Sequence, residues 1–131
     1  MMFFVFGKIP FFHLQNYFQN YINYNMSEIN EGWLEVSEEA GIEVEDIIRF
    51  DHDNKTYCVY KLEDGYYATD GLCTHETVHL EDGLVIDDEI ECPMHQGIFK
   101  IKTGEAVSLP ACVDLKTYPV KVDNGKIFIK I

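Results

Sequence analysis

Positive charge is scarce in this 131-residue sequence: ten Lys and Arg stand against 23 Asp and Glu, a formal net charge of -13. Phosphate backbones and anionic lipid repel such a chain, which excludes nucleic acid and membrane surfaces as partners and favours a basic protein surface. A long apolar run is missing too. The stretch from Met1 to Leu14 is broken by Lys8 and Pro10 and falls short of the roughly 20 residues a span requires. No small-residue cleavage site follows it, so it does not read as a signal peptide. The sequence has no Gly-rich dinucleotide loop and no 2-His-1-carboxylate set in a second domain, and its length suits one domain. Cysteine is limited to four residues, two of them in mixed Cys/His pairs. Without a secretory signal this argues for metal before disulfide and for a reducing, cytoplasmic setting.

The first 25 residues differ from the rest. They contain no Asp or Glu, yet hold half of the aromatic residues. At Met26 the chain turns acidic with Ser-Glu-Ile-Asn-Glu-Gly-Trp, so residues 1–25 read as an N-terminal extension and 26–131 as the folded domain. From Trp33 onward, short alternating runs separated by turn residues describe an antiparallel all-β domain. Ser37 to Gly41 reads as one helical turn. Ile47–Phe50, Tyr57–Leu62 and Tyr66–Thr69 read as strands, with Cys58, Tyr60 and Leu62 on one face. Tyr118, Val120 and Val122 alternate on one strand and Ile127, Ile129 and Ile131 on the next, joined by Asn124-Gly125, a strong hairpin signal. Leu84–Ile86 and Glu89–Glu91 form a further hairpin across Asp87-Asp88.

That last hairpin brings two pairs of metal-ligating residues together. Cys73-Thr74-His75 precedes it and, after 16 intervening residues, Cys92-Pro93-Met94-His95 follows. The expected arrangement is a small subdomain with the two pairs on neighbouring loops at one end of a sheet, held by a rigid scaffold. Two soft thiolates and two imidazoles suit a transition-metal site. Zinc is one possibility, although a zinc finger would place both cysteines in one loop and both histidines in another.

The chain resembles the Rieske ferredoxins, small electron carriers of multicomponent ring-hydroxylating oxygenases. The resemblance spans Trp33 to Ile131 and rests on Cys73-Thr74-His75-Glu76, Gly83, Cys92-Pro93-Met94-His95, Gly97, Phe99, Thr103-Gly104-Glu105, Leu109-Pro110-Ala111 and Tyr118-Pro119-Val120-Lys121-Val122. It implies a Rieske-like β-sandwich or barrel and one [2Fe–2S] cluster, with Cys73 and Cys92 on the inner iron and His75 and His95 on the outer one. It also implies that Gly97 offers a backbone N–H to sulfur and that Pro110 covers the cluster from a third loop. Respiratory members of the family carry an extra cysteine in each loop and a serine near the second. Here Val78 and Met94 fill the cysteine positions and Gln96-Gly97-Ile98 has no serine. Fewer hydrogen bonds to sulfur imply a potential toward the low end of the Rieske range, roughly −150 mV.

The implied function is one-electron transfer from an NAD(P)H-dependent flavoprotein reductase to a terminal non-haem iron oxygenase, by a monomer that is not an enzyme on its own. Partners would dock at the cluster tip, near Glu76, Leu80 and Met94, with Gln96 and Pro110 close by. Two rivals are the small subunit of a nitrite reductase-like enzyme and a zinc-stabilised interaction module. His79 reads as a solvated loop residue, Phe99 as core, and Cys58 and Cys112 as buried thiols. His13 and His52 have no companions that suggest chemistry.

Overall fold

The computed structural model describes residue 16 and residues 32–131, except for 75, 76, 95 and 112. The chain divides into Met1–Gly32 and Trp33–Ile131, and the strands described belong to the second unit; the expected boundary at Met26 lies outside the described residues. No helix among them is long and apolar enough to cross a membrane.

The unit is all-β, as the sequence predicts. Three antiparallel sheets account for it. The first joins β1 (Trp33–Glu38), β10 (Val120–Asp123) and β11 (Lys126–Lys130) in the order β1-β11-β10. The second, β2-β3-β4-β9, holds β2 (Ile47–His52), β3 (Lys55–Leu62), β4 (Gly65–Asp70) and β9 (Thr117–Tyr118). The third runs β5-β6-β7-β8 through β5 (Leu84–Ile86), β6 (Glu89–Glu91), β7 (Ile98–Lys100) and β8 (Ala106–Ser108). Turn chemistry sets the hairpin registers. Asp53 and Asn54, between β2 and β3, both take positive φ, as do Asn124 and Gly125 between β10 and β11, the conformation that a tight two-residue hairpin turn demands.

β3 is buried on both faces, and each face serves a separate core. Cys58, Tyr60 and Leu62 join Cys73, Leu80, Ile90, Cys92, Phe99 and Ile101. Tyr57 and Val59 join Ala68, Tyr118, Ile127 and Ile129. Each wholly buried large side chain is worth roughly 1.5–3 kcal/mol, against ~0–1 kcal/mol for a surface ion pair. Apolar packing therefore dominates over the exposed carboxylates.

Two sequence expectations are corrected. Ser37 and Glu38 make no helical turn, because β1 continues through them, opposite Ile127 and Lys126 of β11. The chain bends only afterwards, where Glu39 N–H donates to the Gly125 carbonyl at 2.8 Å. Tyr118 and Val122 do not share one strand either. Pro119 lacks an N–H, and the chain changes sheets there: β9 pairs with β4 and β10 with β11. Val122 and Ile131 are exposed.

Candidate functional site

The β5–β6 hairpin places the two ligand loops side by side. Its register sets Leu84 opposite Glu91, so Gly83 and Cys92 emerge at the same end. A side chain at Gly83 would collide with the Glu91 carbonyl oxygen. This close approach requires glycine.

Both loops close on themselves in the same way. Cys73 N–H donates to the Val78 carbonyl at 2.9 Å, and Cys92 N–H donates to the Gly97 carbonyl at 2.7 Å. Each cysteine thus stands at the root of its own loop and turns into the core shared with Leu80, Ile90 and Phe99; Cys73 is 6% exposed and Cys92 2%. The Leu80–Asp82 3-10 turn anchors the exit of the first loop. There Arg49 of β2 donates to Glu81 at 2.8 Å and to Asp51 at 3.0 Å, and this pairing holds the Asp51 carboxyl below its ordinary value.

A third loop touches both. Thr74 Oγ1 donates to the Val113 carbonyl at 2.6 Å. Gly97 lies against Ala111, itself buried. Half-buried Pro110, preceded by a cis peptide bond, stands directly before Ala111. Gln96 takes φ of +60°, a left-handed conformation that a residue with a side chain rarely adopts.

The predicted site residues divide as follows. Cys73 and Cys92 come together at the loop roots, and Gly97 and Pro110 stand on the second and third loops. His75, His95, Glu76 and Cys112 lie outside the described residues. Among the described residues no three His, Cys, Asp or Glu converge as on a metal ion. The described half of the set suits an iron–sulfur group on its chemistry, with two soft thiol donors buried at adjacent loop roots and Cys73 engaged in no disulfide.

Two expectations around the site are corrected. Leu80, assigned to the docking tip, is wholly buried: its N–H donates to the Gly71 carbonyl at 2.9 Å and its side chain packs into the core. His79 is half-buried rather than solvated, bridges Leu72, and has a buried Nδ1 without a hydrogen-bond partner. Cys58, by contrast, is a buried thiol with no disulfide, as expected, and burial pushes its pKa up to about 12.

Sequence reasoning missed two exposed apolar residues of the third loop, Leu109 at 79% and Val113. Together with Met94 they give the loop end an apolar surface. No sequence signal marked them, since an apolar residue between strands reads as core. A second feature was legible and overlooked: residues 62–99 contain neither Lys nor Arg. Another surface hollow lies between Val44, Glu45, Asp64, Asp87 and Lys102, and contains none of the predicted ligands.

Comparison with known proteins agrees with this architecture. A family model of the Rieske [2Fe-2S] domain matches residues 32–119. Over 103 residues the chain is 37% identical to the ferredoxin component of the naphthalene 1,2-dioxygenase/salicylate 5-hydroxylase systems of a Ralstonia species, covering 79% of this chain and 99% of that one. A chain in the solved complex of reduced oxygenase and oxidized ferredoxin in carbazole 1,9a-dioxygenase matches with a TM-score of 0.73 and 33% identity, over 77% of this chain and 94% of that one. A Mycobacterium tuberculosis structure described as an NADH-dependent nitrite reductase small subunit matches with a TM-score of 0.67, over 76% of this chain and 94% of that one. Its 18% identity speaks to fold alone. The matched segment contains both Cys-rooted loops and the hairpin between them, and on that footing the chain belongs to the Rieske [2Fe–2S] domain family and carries one [2Fe–2S] cluster.

Proposed function

We propose that this chain is the ferredoxin of an aromatic-ring oxygenase system, a monomeric cytoplasmic carrier taking single electrons from an NAD(P)H-dependent flavoprotein reductase to a terminal non-haem iron oxygenase. The observation that carries this reading is the pair of buried cysteines at the roots of two loops, with apolar Met94 exposed on the second and no Lys or Arg in residues 62–99. Its relatives are ferredoxin components rather than catalytic subunits, which favours it over the nitrite reductase alternative.

In this proposal Cys73 and Cys92 hold one iron and His75 and His95 the other. When bound, the cluster supplies one-electron redox chemistry. The chain's own residues do the rest. The paired loop closures fix the thiolates, Gly97 and Pro110 bring the second and third loops over them, and the surrounding core excludes water and keeps the site rigid. Met94, Leu109 and Val113 offer the docking surface, with Glu76 as an acidic neighbour. Residues 26–131 suffice for this task, so a chain begun at Met26 should keep its colour and its electron-transfer rate.

The test is spectroscopic. The purified protein should be red-brown, hold two irons and two acid-labile sulfides as a [2Fe–2S] domain does, and show a Rieske-type paramagnetic signal only on reduction. A signal typical of all-cysteine ligation, or a colourless zinc protein, would overturn it.

A further inference from the structure

Nine large apolar side chains are well exposed among the described residues, and six of them, Leu84, Ile86, Met94, Val107, Leu109 and Val113, lie in the segment that carries the second and third loops and their sheet. Three of the six, Leu84, Ile86 and Val107, stand on strands rather than loops. Leu84 and Ile86, 56% and 53% exposed, stand on one side of β5 because Val85 between them turns into the core. The register sets Glu91 opposite Leu84, and Ile98 of β7 opposite Glu91. This row of the outer face therefore alternates apolar side chains with a carboxylate, whereas the next row runs Ile86, Glu89 and Lys100.

A surface cleft opens where this face meets the second ligand loop. Asp82, Leu84, Glu91, Pro93 and Gln96 line it, and the buried Cys92 forms its floor. The carboxylates differ in their partners. Glu89, farther from the loop, pairs with Lys100 at 3.3 Å. Asp82 and Glu91 form no ion pair with Lys or Arg among the described residues.

We propose that this cleft receives an apolar side chain of a partner protein, bracketed by Lys or Arg that meet Asp82 and Glu91. The docking footprint is then one-sided, running from Met94 over Pro93 and down the flank to Leu84 and Ile86. The inference rests on the electron-carrier reading and specifies the partner chemistry it needs. An apolar centre with a charged rim is the usual anatomy of a protein interface. Charge complementarity selects a basic partner, because the rim carboxylates are unpaired among the described residues and the chain's net charge is -13. The position also suits the task, since a side chain seated in the cleft approaches Cys92, a proposed iron ligand.

The experiment mixes the chemically reduced protein with oxidised cytochrome c, a basic haem protein, in a stopped-flow instrument at low ionic strength. Leu84→Asn and Asp82→Lys should each lower the second-order rate roughly fivefold or more. Val122→Asn on β10 and Glu38→Lys on β1 make the same chemical changes away from the cleft, and should stay within about twofold of the unaltered protein. Potential and paramagnetic spectrum should not change in any of the four. Should Leu84→Asn disturb the cluster, Ile86→Asn, farther from Cys92, is measured in its place. A rate unaffected by either cleft substitution, or lowered equally by its control, overturns the cleft. A cluster-loaded, unaltered protein that fails to reduce cytochrome c overturns the electron-carrier reading, and the cleft falls with it.

Discussion

Gly97 packs against Ala111 so closely that a Cβ on the glycine would lie 2.9 Å from the Ala111 methyl and 3.2 Å from its backbone nitrogen. The Gly97 carbonyl also closes the second ligand loop by accepting from Cys92. Gly97→Ala must therefore push the third loop away or distort the second. We expect a loss of about 1–3 kcal/mol, typical of overpacking, together with reduced iron content. Urea unfolding and iron analysis check both, and an unchanged midpoint with full iron would show that the loops part without cost.

Replacing an imidazole by a thiolate adds negative charge to the iron it binds, which favours the oxidised state. His95→Cys should lower the reduction potential wherever a cluster still assembles. Voltammetry measures it. An intact cluster at the original potential would remove His95 from the ligand set.

If partners dock at the loop end, charge and apolar contact there should matter more than the same features elsewhere. Glu76→Lys should slow reduction by the reductase or oxygenase turnover roughly tenfold more than Glu38→Lys, with the potential unchanged. Leu109→Ser, at the most exposed large apolar side chain among the described residues, should act in the same direction. Equal rates for Glu76→Lys and Glu38→Lys would mean that overall charge alone governs the encounter.

Alkaline pH should destabilise the fold through its buried acids. Burial raises the Cys58 thiol from 9.0 to about 12, and burial with the 2.6 Å bond to Asp70 raises the Tyr118 phenol from 10.0 to about 12. The folded chain holds these protons at pH values where the unfolded chain has released them. Their contribution is thus complete below about pH 9 and is lost as the pH climbs toward 12. Urea midpoints from pH 8 to pH 11, compared with those of Cys58→Ala, test the slope, which the substitution should flatten. Parallel slopes would count against the thiol.

Legibility followed the range of the interactions. Local turn chemistry and alternation marked the hairpin of Leu84–Ile86 and Glu89–Glu91 to the residue, the Asn124-Gly125 turn, and the shared face of Cys58, Tyr60 and Leu62. Non-local pairing hid what was misread. Ser37 is a strand residue only because Ile127, near the other end of the chain, pairs with it. β7 and β8 are three residues each, too short for a period to show. Leu80 was legible as apolar, but its burial depends on a 3-10 turn that directs it between Ile90 and Phe99. The four proposed ligands themselves stood out because mixed Cys/His pairs are a chemical signal and need no fold to be seen.

β3 has one further consequence, for the accuracy of folding. Odd-numbered Tyr57 and Val59 fill one interior, while even-numbered Cys58, Tyr60 and Leu62 fill the other. A slip of a single residue would exchange the two sets, sending Val59 toward the cysteines and withdrawing Tyr60 from Thr69, its 2.8 Å hydrogen-bond partner. Neither interior could tolerate the volumes it received. The strand that separates the two compartments thus also proofreads the chain, since the core that holds Cys73 and Cys92 forms in register only when the opposite compartment is correctly filled.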